Sequence, residues 1–154
     1  ISAAKTIGIN ESNSILALEK FSGVKRRLEL IYNKNFILYD DFAHHPTAIS
    51  ATLHAVKNKH PGKKITTIFE VRSNSMISGT HKDSFYSSFD LTDELYIYCT
   101  KDVNWLKNSG DFLVYQDIST IIDKIYSSTE NVDIVILMSN GDTSHIINKL
   151  NMYE

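Results

Sequence analysis

The sequence lacks the features that would place it outside the cell or in a membrane. A single cysteine, Cys99, among 154 residues cannot form an internal disulfide, so a disulfide-bonded scaffold is excluded. No apolar run approaches the roughly 18 residues of a membrane-spanning helix, and the start ISAAKTIGIN lacks the basic and apolar segments of a secretory signal. We therefore expect a cytoplasmic protein without a membrane span.

The chain also lacks an excess of positive charge. Its formal net charge is −2, and the one basic cluster, Lys25-Arg26-Arg27, is short, so we expect no nucleic-acid partner. Two phosphate-binding signatures are missing as well: a glycine-rich loop ending in Gly-Lys-Thr/Ser and the pattern G-x-G-x-x-G. A nucleotide bound here would therefore need phosphate contacts from another domain.

What the chain does contain is an alternation of apolar strands and amphipathic helices. Strands are predicted at 26–32, 36–41, 64–70, 94–99, 112–116 and 133–139, and helices at 10–21, 46–60, 81–89, 118–128 and 143–151. Strands divided by helices indicate a parallel sheet covered on both faces. The expected fold class is α/β: a Rossmann-like three-layer domain with a mostly parallel sheet of about six strands.

The first residues do not fit this alternation. ISAAKTIG reads like the last turns of a helix, and the chain has no initiator methionine. We therefore expect residues 1–30 to be a short helical remnant of another domain and residues 31–154 to be the Rossmann-like domain.

Three polar segments follow strands of the predicted sheet: DDFAHHP (40–46), EVRSNSMISGTHK (70–82) and SNGDTSH (139–145). Ligands of open α/β sheets bind beyond the carboxyl ends of the strands. We therefore expect these segments to converge on one edge of the sheet and to form a site.

The first polar segment has a metal-binding alternative. A metal-dependent phosphoesterase would use Asp40, Asp41, His44 and His45 as ligands. In the simpler interpretation, the histidines cap or fill space beside Pro46, and only one aspartate faces the ligand edge, because neighbours in a strand point to opposite sides.

The other two segments have plain alternatives as well. The polar residues after the second strand would be ordinary loop residues. Ser139-Asn140-Gly141 would be a simple turn, with Gly141 adopting a positive φ.

Four segments together resemble the Mur ligases over essentially the whole chain. They are FSGVKRRLE (21–29), YDDFAHHPTAI (39–49), FEVRSNSM (69–76) and LMSNGD (137–142). The resemblance implies that residues 1–30 end the ATP-binding central domain and that residues 31–154 are the C-terminal domain. DDFAHHPT together with RSNSM is the most specific part of the match.

The activity implied by the resemblance is ATP-dependent amide-bond formation in peptidoglycan recycling. ATP phosphorylates the carboxylate of UDP-N-acetylmuramate, and the amine of a murein tripeptide attacks the acyl phosphate. ATP and Mg²⁺ are the implied cofactors, held mainly by the missing central domain, so the fragment alone is expected to be inactive. The alternatives are a UDP-N-acetylmuramate–L-alanine ligase or another Mur ligase, and a non-catalytic nucleotide-binding module.

The resemblance also implies roles for individual residues. Arg27 approaches the ATP phosphates, Asp41 at an exposed strand end holds the ribose, and His44 lies near the nucleotide. Asp40 and His45 would be structural neighbours. The incoming peptide is received by Arg72, Ser73, Asn74 and Asn140.

The chain departs from the expected family pattern on the peptide side. Proline is expected where Val71 stands, arginine near Ile77 and Ser78, and a more glycine-rich loop around Asp142. The nucleotide-side motif is complete. Peptide specificity is therefore the weaker of the two inferences.

Overall fold

The structure, a computed structural model, describes residues 1–21, 23–107, 113–128 and 132–152. Two short helices, α1 (Ser2–Thr6) and α2 (Glu11–Glu19), precede the sheet. The strands are β1 (Glu29–Asn33), β2 (Ile37–Asp41), β3 (Ile65–Glu70), β4 (Glu94–Tyr98), β5 (Val114–Tyr115) and β6 (Ile134–Met138). The remaining helices are α3 (Pro46–Lys59), α4 (Asn74–Ile77), α5 (Lys82–Phe85), α6 (Asn104–Lys107), α7 (Ile118–Ser127) and α8 (Ser144–Met152).

The six strands form one sheet in the order β1-β2-β6-β3-β4-β5. Strand β1 pairs antiparallel with β2, and the other pairs are parallel. Met138 at the end of β6 lies opposite Asp41 of β2 and Phe69 of β3. The predicted mostly parallel sheet is confirmed, and its register brings the ends of these three strands level.

Helices cover both faces of the sheet and create two hydrophobic cores. The core on one face packs against α3 and the aromatic residues that follow β3, and it includes Tyr39, Leu53, Phe69, Phe85 and Met138. The core on the other face packs against α7 and α8, and it includes Leu38, Ile68, Ile122, Leu137 and Leu150. Successive strand residues alternate between the two cores because strand side chains point alternately to opposite faces.

Side-chain caps explain where several helices begin. Asn10 caps α2 by accepting a 2.8 Å hydrogen bond from the backbone N–H of Asn13. Pro46 occupies the first turn of α3, where its missing N–H costs nothing. In the described part of the chain, no helix is long and apolar enough to cross a membrane.

Local geometry changes several predicted boundaries. The strand predicted at 26–32 begins only at Glu29, because Arg26 and Leu28 adopt left-handed φ angles of 56° and 50°. The helix predicted at 81–89 is α5 followed by a 3₁₀ turn over Tyr86–Phe89. Helices α4 and α6 were not predicted, and β5 is shorter than expected; residue 112 lies outside the described residues. The domain division at residue 30 stays a prediction.

The α7 core contact gives a stability prediction. Ile122→Ala removes a fully buried side chain from the core between α7 and the sheet. We expect it to lower the free energy of unfolding by about 2 to 5 kcal/mol, as measured by urea titration followed by circular dichroism. Thr120→Ala, at an exposed position of the same helix, is the control. Equal losses in both variants would contradict the two-core packing.

Candidate functional site

Three polar loops meet at the carboxyl edge of the sheet, as the sequence predicted. The hydroxyl of Thr143 donates a 2.9 Å hydrogen bond to Asp40 Oδ2, which joins the β6 loop to β2. The hydroxyl of Ser139 donates to Glu70 Oε2, which joins the β6 loop to β3. Arg26 Nη2 donates to the carbonyl of Ser139 at 2.6 Å. Side chains from four separate segments are therefore locked together at this edge.

Asp40 is bonded within this network. It is only 2% exposed and forms an ion pair with Arg26, whose Nε lies 3.1 Å from Oδ2. Burial raises the pKa of Asp40, and the bonds from Thr143 and Arg26 oppose that shift. Its Oδ1 atom has no hydrogen-bond partner among the described residues.

Asp41 lies at the strand end, but the expectation that it is exposed was wrong. It is 4% exposed, and its Oδ2 accepts a 2.6 Å bond from the backbone N–H of Leu28. Its Oδ1 accepts bonds from the N–H of Ala43 at 2.8 Å and from the Thr52 hydroxyl at 3.2 Å. These three donors offset the cost of burying the carboxylate. Asp40 and Asp41 do point to different partners, but neither is open to solvent.

Phe42 brings the two other nucleotide-side candidates together. The guanidinium of Arg27 lies 5.4 Å from the Phe42 ring centroid, and the His44 ring meets it edge-on at 5.3 Å. His44 Nδ1 donates to the carbonyl of Phe42 at 2.9 Å, so in the neutral ring Nε2 carries the free lone pair. Arg27 is exposed. The turn that contains Arg27 is held against the β2 loop by a 2.9 Å hydrogen bond from the N–H of Phe42 to the carbonyl of Arg26.

On the peptide side, Arg72 lies across the backbone of the last loop. Its Nη1 is 3.8 Å from Glu70 Oε1, and the side chain is about half exposed. A Cβ atom added to Gly141 would lie 2.4 Å from Arg72 Nη1 and 2.7 Å from its Cδ. Gly141 does not have a positive φ, so that part of the simple-turn interpretation was wrong; a local turn is present, because the N–H of Gly141 donates a 2.9 Å hydrogen bond to Ser139 Oγ. A side chain at residue 141 would therefore displace the arginine from this position.

The remaining peptide-side candidates have different surroundings. Ser73 caps α4 by accepting a 3.3 Å hydrogen bond from the N–H of Met76, so its hydroxyl oxygen stabilises the start of that helix. Asn74 is exposed at the first residue of that helix. Asn140 is half-buried, and its Oδ1 has no hydrogen-bond partner among the described residues. Of the three, Asn140 is the side chain with an unused buried acceptor.

A cavity of about 470 Å³ opens beside Arg72 at the ends of β3 and β4. It is lined by Glu70, Val71, Arg72, Tyr98, Thr100, Lys101 and His145. Glu70 and His145 lie in polar segments that were expected to form the site, although neither was named as a site residue, and Lys101 lies outside those segments. Lys101 follows a strand that ends at the same edge of the sheet, and that signal was present in the sequence.

The metal-binding alternative finds no support in this geometry. Asp40 and Asp41 bond to protein donors, His44 donates to a carbonyl, and His45 Nδ1 caps α3 by accepting from the N–H of Thr47 at 3.4 Å. Within the described ranges, no group of three or more His, Cys, Asp or Glu side chains is placed to hold a metal ion. Each of the four candidate ligands already has a separate structural contact.

Comparison with known proteins identifies the family. The family model described as "Mur ligase, glutamate ligase domain" matches residues 26–141. The UDP-N-acetylmuramate–L-alanyl-γ-D-glutamyl-meso-2,6-diaminoheptandioate ligase of Escherichia coli K12 is 35% identical, over 97% of this chain and 35% of the relative. The UDP-N-acetylmuramate–L-alanine ligase of Cytophaga hutchinsonii is 34% identical, over 97% of this chain and 34% of that protein.

A solved structure gives the same result in three dimensions. The murein peptide ligase of Psychrobacter arcticus 273-4 superposes with a TM-score of 0.74 at 34% identity, covering 98% of this chain and 34% of that one. The chain thus spans about a third of the length of the relatives it matches. The chain belongs to the Mur ligase family, and residues 26–141 correspond to its glutamate ligase domain.

Proposed function

We propose that this chain is the C-terminal part of a cytoplasmic, ATP-dependent ligase that joins UDP-N-acetylmuramate to the murein tripeptide L-alanyl-γ-D-glutamyl-meso-2,6-diaminoheptandioate. The observation that carries the proposal is the convergence of the family-matched loops on one sheet edge, with Arg27 and His44 beside β2 and Arg72 beside β3. The two groups are separated by β6, two strand spacings or about 10 Å. That separation suits a nucleotide and a peptide bound side by side.

The reaction needs charge stabilisation in both of its steps. The sugar carboxylate attacks the γ-phosphate of ATP, ADP leaves, and the peptide amine then displaces phosphate from the acyl phosphate. Developing negative charge is stabilised by positioned donors in a site from which water is excluded. In this chain, the exposed Arg27 guanidinium is suited to the ATP phosphates and His44 to the nucleotide.

Asp41 is proposed to contribute to the nucleotide site while it holds the loops in place. A carboxylate accepts about four hydrogen bonds, and three donors already reach Asp41. One lone pair is left for a ribose hydroxyl, which would have to approach through the small exposed part of Asp41, 4% of the residue. By contrast, the described residues do not fit a Mg²⁺ site, because no three of their acidic, histidine or cysteine side chains are placed to hold a metal ion together. Any Mg²⁺ would be held by the remainder of the full-length protein.

The peptide side is proposed to include Arg72, Ser73, Asn74 and Asn140. The Arg72 fork is suited to a carboxylate because its two N–H groups match the two oxygens. The position of Arg72 at the ligand edge, close to Gly141 and 3.8 Å from Glu70 Oε1, supports this role.

A second candidate is ligation of L-alanine instead of the tripeptide. It is favoured by the similar identity, 34%, to an L-alanine ligase over the same share of the chain. Supplying the tripeptide and L-alanine separately to the same full-length enzyme, and comparing product formation, distinguishes the two candidates.

The activity test uses the full-length protein that contains this chain. With UDP-N-acetylmuramate, tripeptide and ATP, we expect ADP, phosphate and UDP-N-acetylmuramoyl-tripeptide, detected by mass spectrometry. The isolated 154 residues should form no product, because they lack a phosphate-cradling loop. Turnover by the isolated chain, or no ligation of either amine by the full-length protein, would contradict the proposal.

Arg27 gives a prediction for the nucleotide side. In the full-length enzyme, Arg27→Ala should raise the KM for ATP about tenfold or more, because a hydrogen bond to a charged group contributes about 1.5 to 3 kcal/mol. The melting temperature should not change, because Arg27 is exposed. Lys25→Ala, an exposed cation two residues away, is the matched control. An effect of equal size in both variants would show a general loss of positive charge instead.

Arg72 gives a separate prediction for the peptide side. Arg72→Ala should raise the peptide KM about tenfold, and Arg72→Lys should raise it less, because it keeps the charge and loses the fork. Gly141→Ala should act in the same direction, because its methyl group would displace Arg72. The KM for ATP should stay nearly constant in all three variants. Unchanged peptide kinetics in the Arg72 variants would refute the role.

A further inference from the structure

Two adjacent arginines of the turn before β1 have different surroundings. The side chain of Arg27 is exposed, whereas that of Arg26 is only 26% exposed and forms an ion pair with the buried Asp40. In the proposed function, Arg27 is the residue suited to the ATP phosphates. Arg26 is therefore an inward-facing cation directly next to the phosphate ligand.

The guanidinium of Arg26 joins the turn to two strands of the sheet. Its Nε lies 3.1 Å from Asp40 Oδ2 at the end of β2, and its Nη2 donates a 2.6 Å hydrogen bond to the carbonyl of Ser139, which follows β6. The ring centroid of Phe42 lies 5.3 Å from the guanidinium carbon. Because the two bonds leave from different nitrogens of one rigid planar group, they fix both its position and its orientation.

The backbone of Arg26 holds the same turn in an uncommon conformation. Arg26 and Leu28 have φ angles of 56° and 50°, in the left-handed region that is unfavourable for residues with a side chain. The N–H of Arg26 donates a 2.8 Å hydrogen bond to Glu29 Oε2, and its carbonyl accepts one of 2.9 Å from the N–H of Phe42. Such a conformation persists only where its surroundings determine it. The contacts of Arg26 therefore hold the left-handed turn from which Arg27 extends.

Arg26 is poorly placed to bind a phosphate itself. Its Nε and Nη2 already bond to protein acceptors, and the carboxylate of Asp40 balances its charge. Movement of Arg26 toward a ligand would leave Asp40, which is 2% exposed, without its cation. An influence of Arg26 on a nucleotide would therefore pass through the residue that it positions.

We propose that Arg26 is a positioning residue for ATP: it holds the turn that directs the Arg27 guanidinium to the phosphates, and it acts on nucleotide binding through Arg27. This inference rests on the proposed function, in which Arg27 binds the ATP phosphates. A turn fixed before the nucleotide arrives lowers the conformational entropy that Arg27 loses on binding.

The test is a double-mutant cycle in the full-length enzyme, with the dissociation constant of a non-hydrolysable ATP analogue measured by isothermal titration calorimetry. Arg26→Lys keeps the positive charge beside Asp40 but loses the fork that reaches Ser139. We expect it to weaken binding about fivefold, and Arg27→Ala to weaken binding about tenfold. In the double variant the loss should stay about tenfold, because a turn without Arg27 has no phosphate ligand to position. A loss of about fiftyfold, the product of the two, would show independent contributions and overturn the inference.

Thr143→Val is the matched control, because the Thr143 hydroxyl is another donor to Asp40 Oδ2, at 2.9 Å, and comes from the loop before α8. It should lower the melting temperature, as Arg26→Lys does, and leave binding of the analogue nearly unchanged. If both variants weaken binding equally, general loosening of the network explains the effect, and the positioning role is refuted.

Glu29→Ala tests the same turn without touching the buried ion pair, so it does not depend on the folding of Arg26→Lys. It removes the acceptor for the N–H of Arg26. Loss of a negative charge by itself favours an anionic ligand, so weaker binding of the analogue, the expected result, has the opposite sign and reports on the turn. Unchanged or tighter binding would contradict the proposal.

Failure of the inference and failure of the proposed function give different results. If Arg27→Ala weakens binding of the analogue but the Arg26 and Glu29 variants do not, only the positioning role of Arg26 is refuted. If Arg27→Ala leaves binding unchanged, the nucleotide role of Arg27 in the proposed function fails, and the inference fails with it.

Discussion

Buried carboxylates at the carboxyl ends of β2 and β3 are the constraint on which the site depends. A buried charge is costly unless donors satisfy it, and each of these acids takes its donors from a different segment. Asp40 bonds to Arg26 and Thr143, and Glu70 bonds to Ser139. The loops cannot separate without leaving a carboxylate unpaired. The sheet thus aligns the ends of the strands, and the buried carboxylates hold together the loops that follow those strands.

The same principle explains the unusual backbone before β1. Leu28 is held at a positive φ, which is unfavourable for a residue with a side chain. The 2.6 Å bond from its N–H to Asp41, with the bond from Phe42 N–H to the Arg26 carbonyl, offsets that strain. Between the two left-handed residues, Arg27 is presented to solvent. A single buried acid therefore connects the turn that carries Arg27 to the loop that carries His44.

The sequence was sufficient for features that depend on local pattern and insufficient for those that depend on tertiary contact. The strand and helix alternation predicted the six-stranded α/β sheet, and the positions of polar segments after strands predicted their convergence. The burial of Asp41 could not be predicted, because its donors Leu28 and Thr52 lie 13 and 11 residues away. The close approach of Arg72 to Gly141 could not be predicted either, because Arg72 comes from the end of another strand. Lys101 was overlooked because its place after a strand was its only signal, and no motif accompanies it.

The departure at Val71 has a structural consequence that links the peptide side to the cavity. Val71 is buried, and its N–H donates a 2.9 Å hydrogen bond to the carbonyl of Tyr98. Proline, which the family pattern leads one to expect there, has no N–H to donate. Valine therefore extends the β3–β4 ladder by one bond beyond Glu70 and holds the start of the Arg72 loop against the end of β4. Because Thr100 and Lys101 follow directly from that end, this bond fixes the two walls of the cavity relative to each other. The residue that departs from the family pattern on the peptide side thus supplies a backbone hydrogen bond between the two strands whose ends line the cavity.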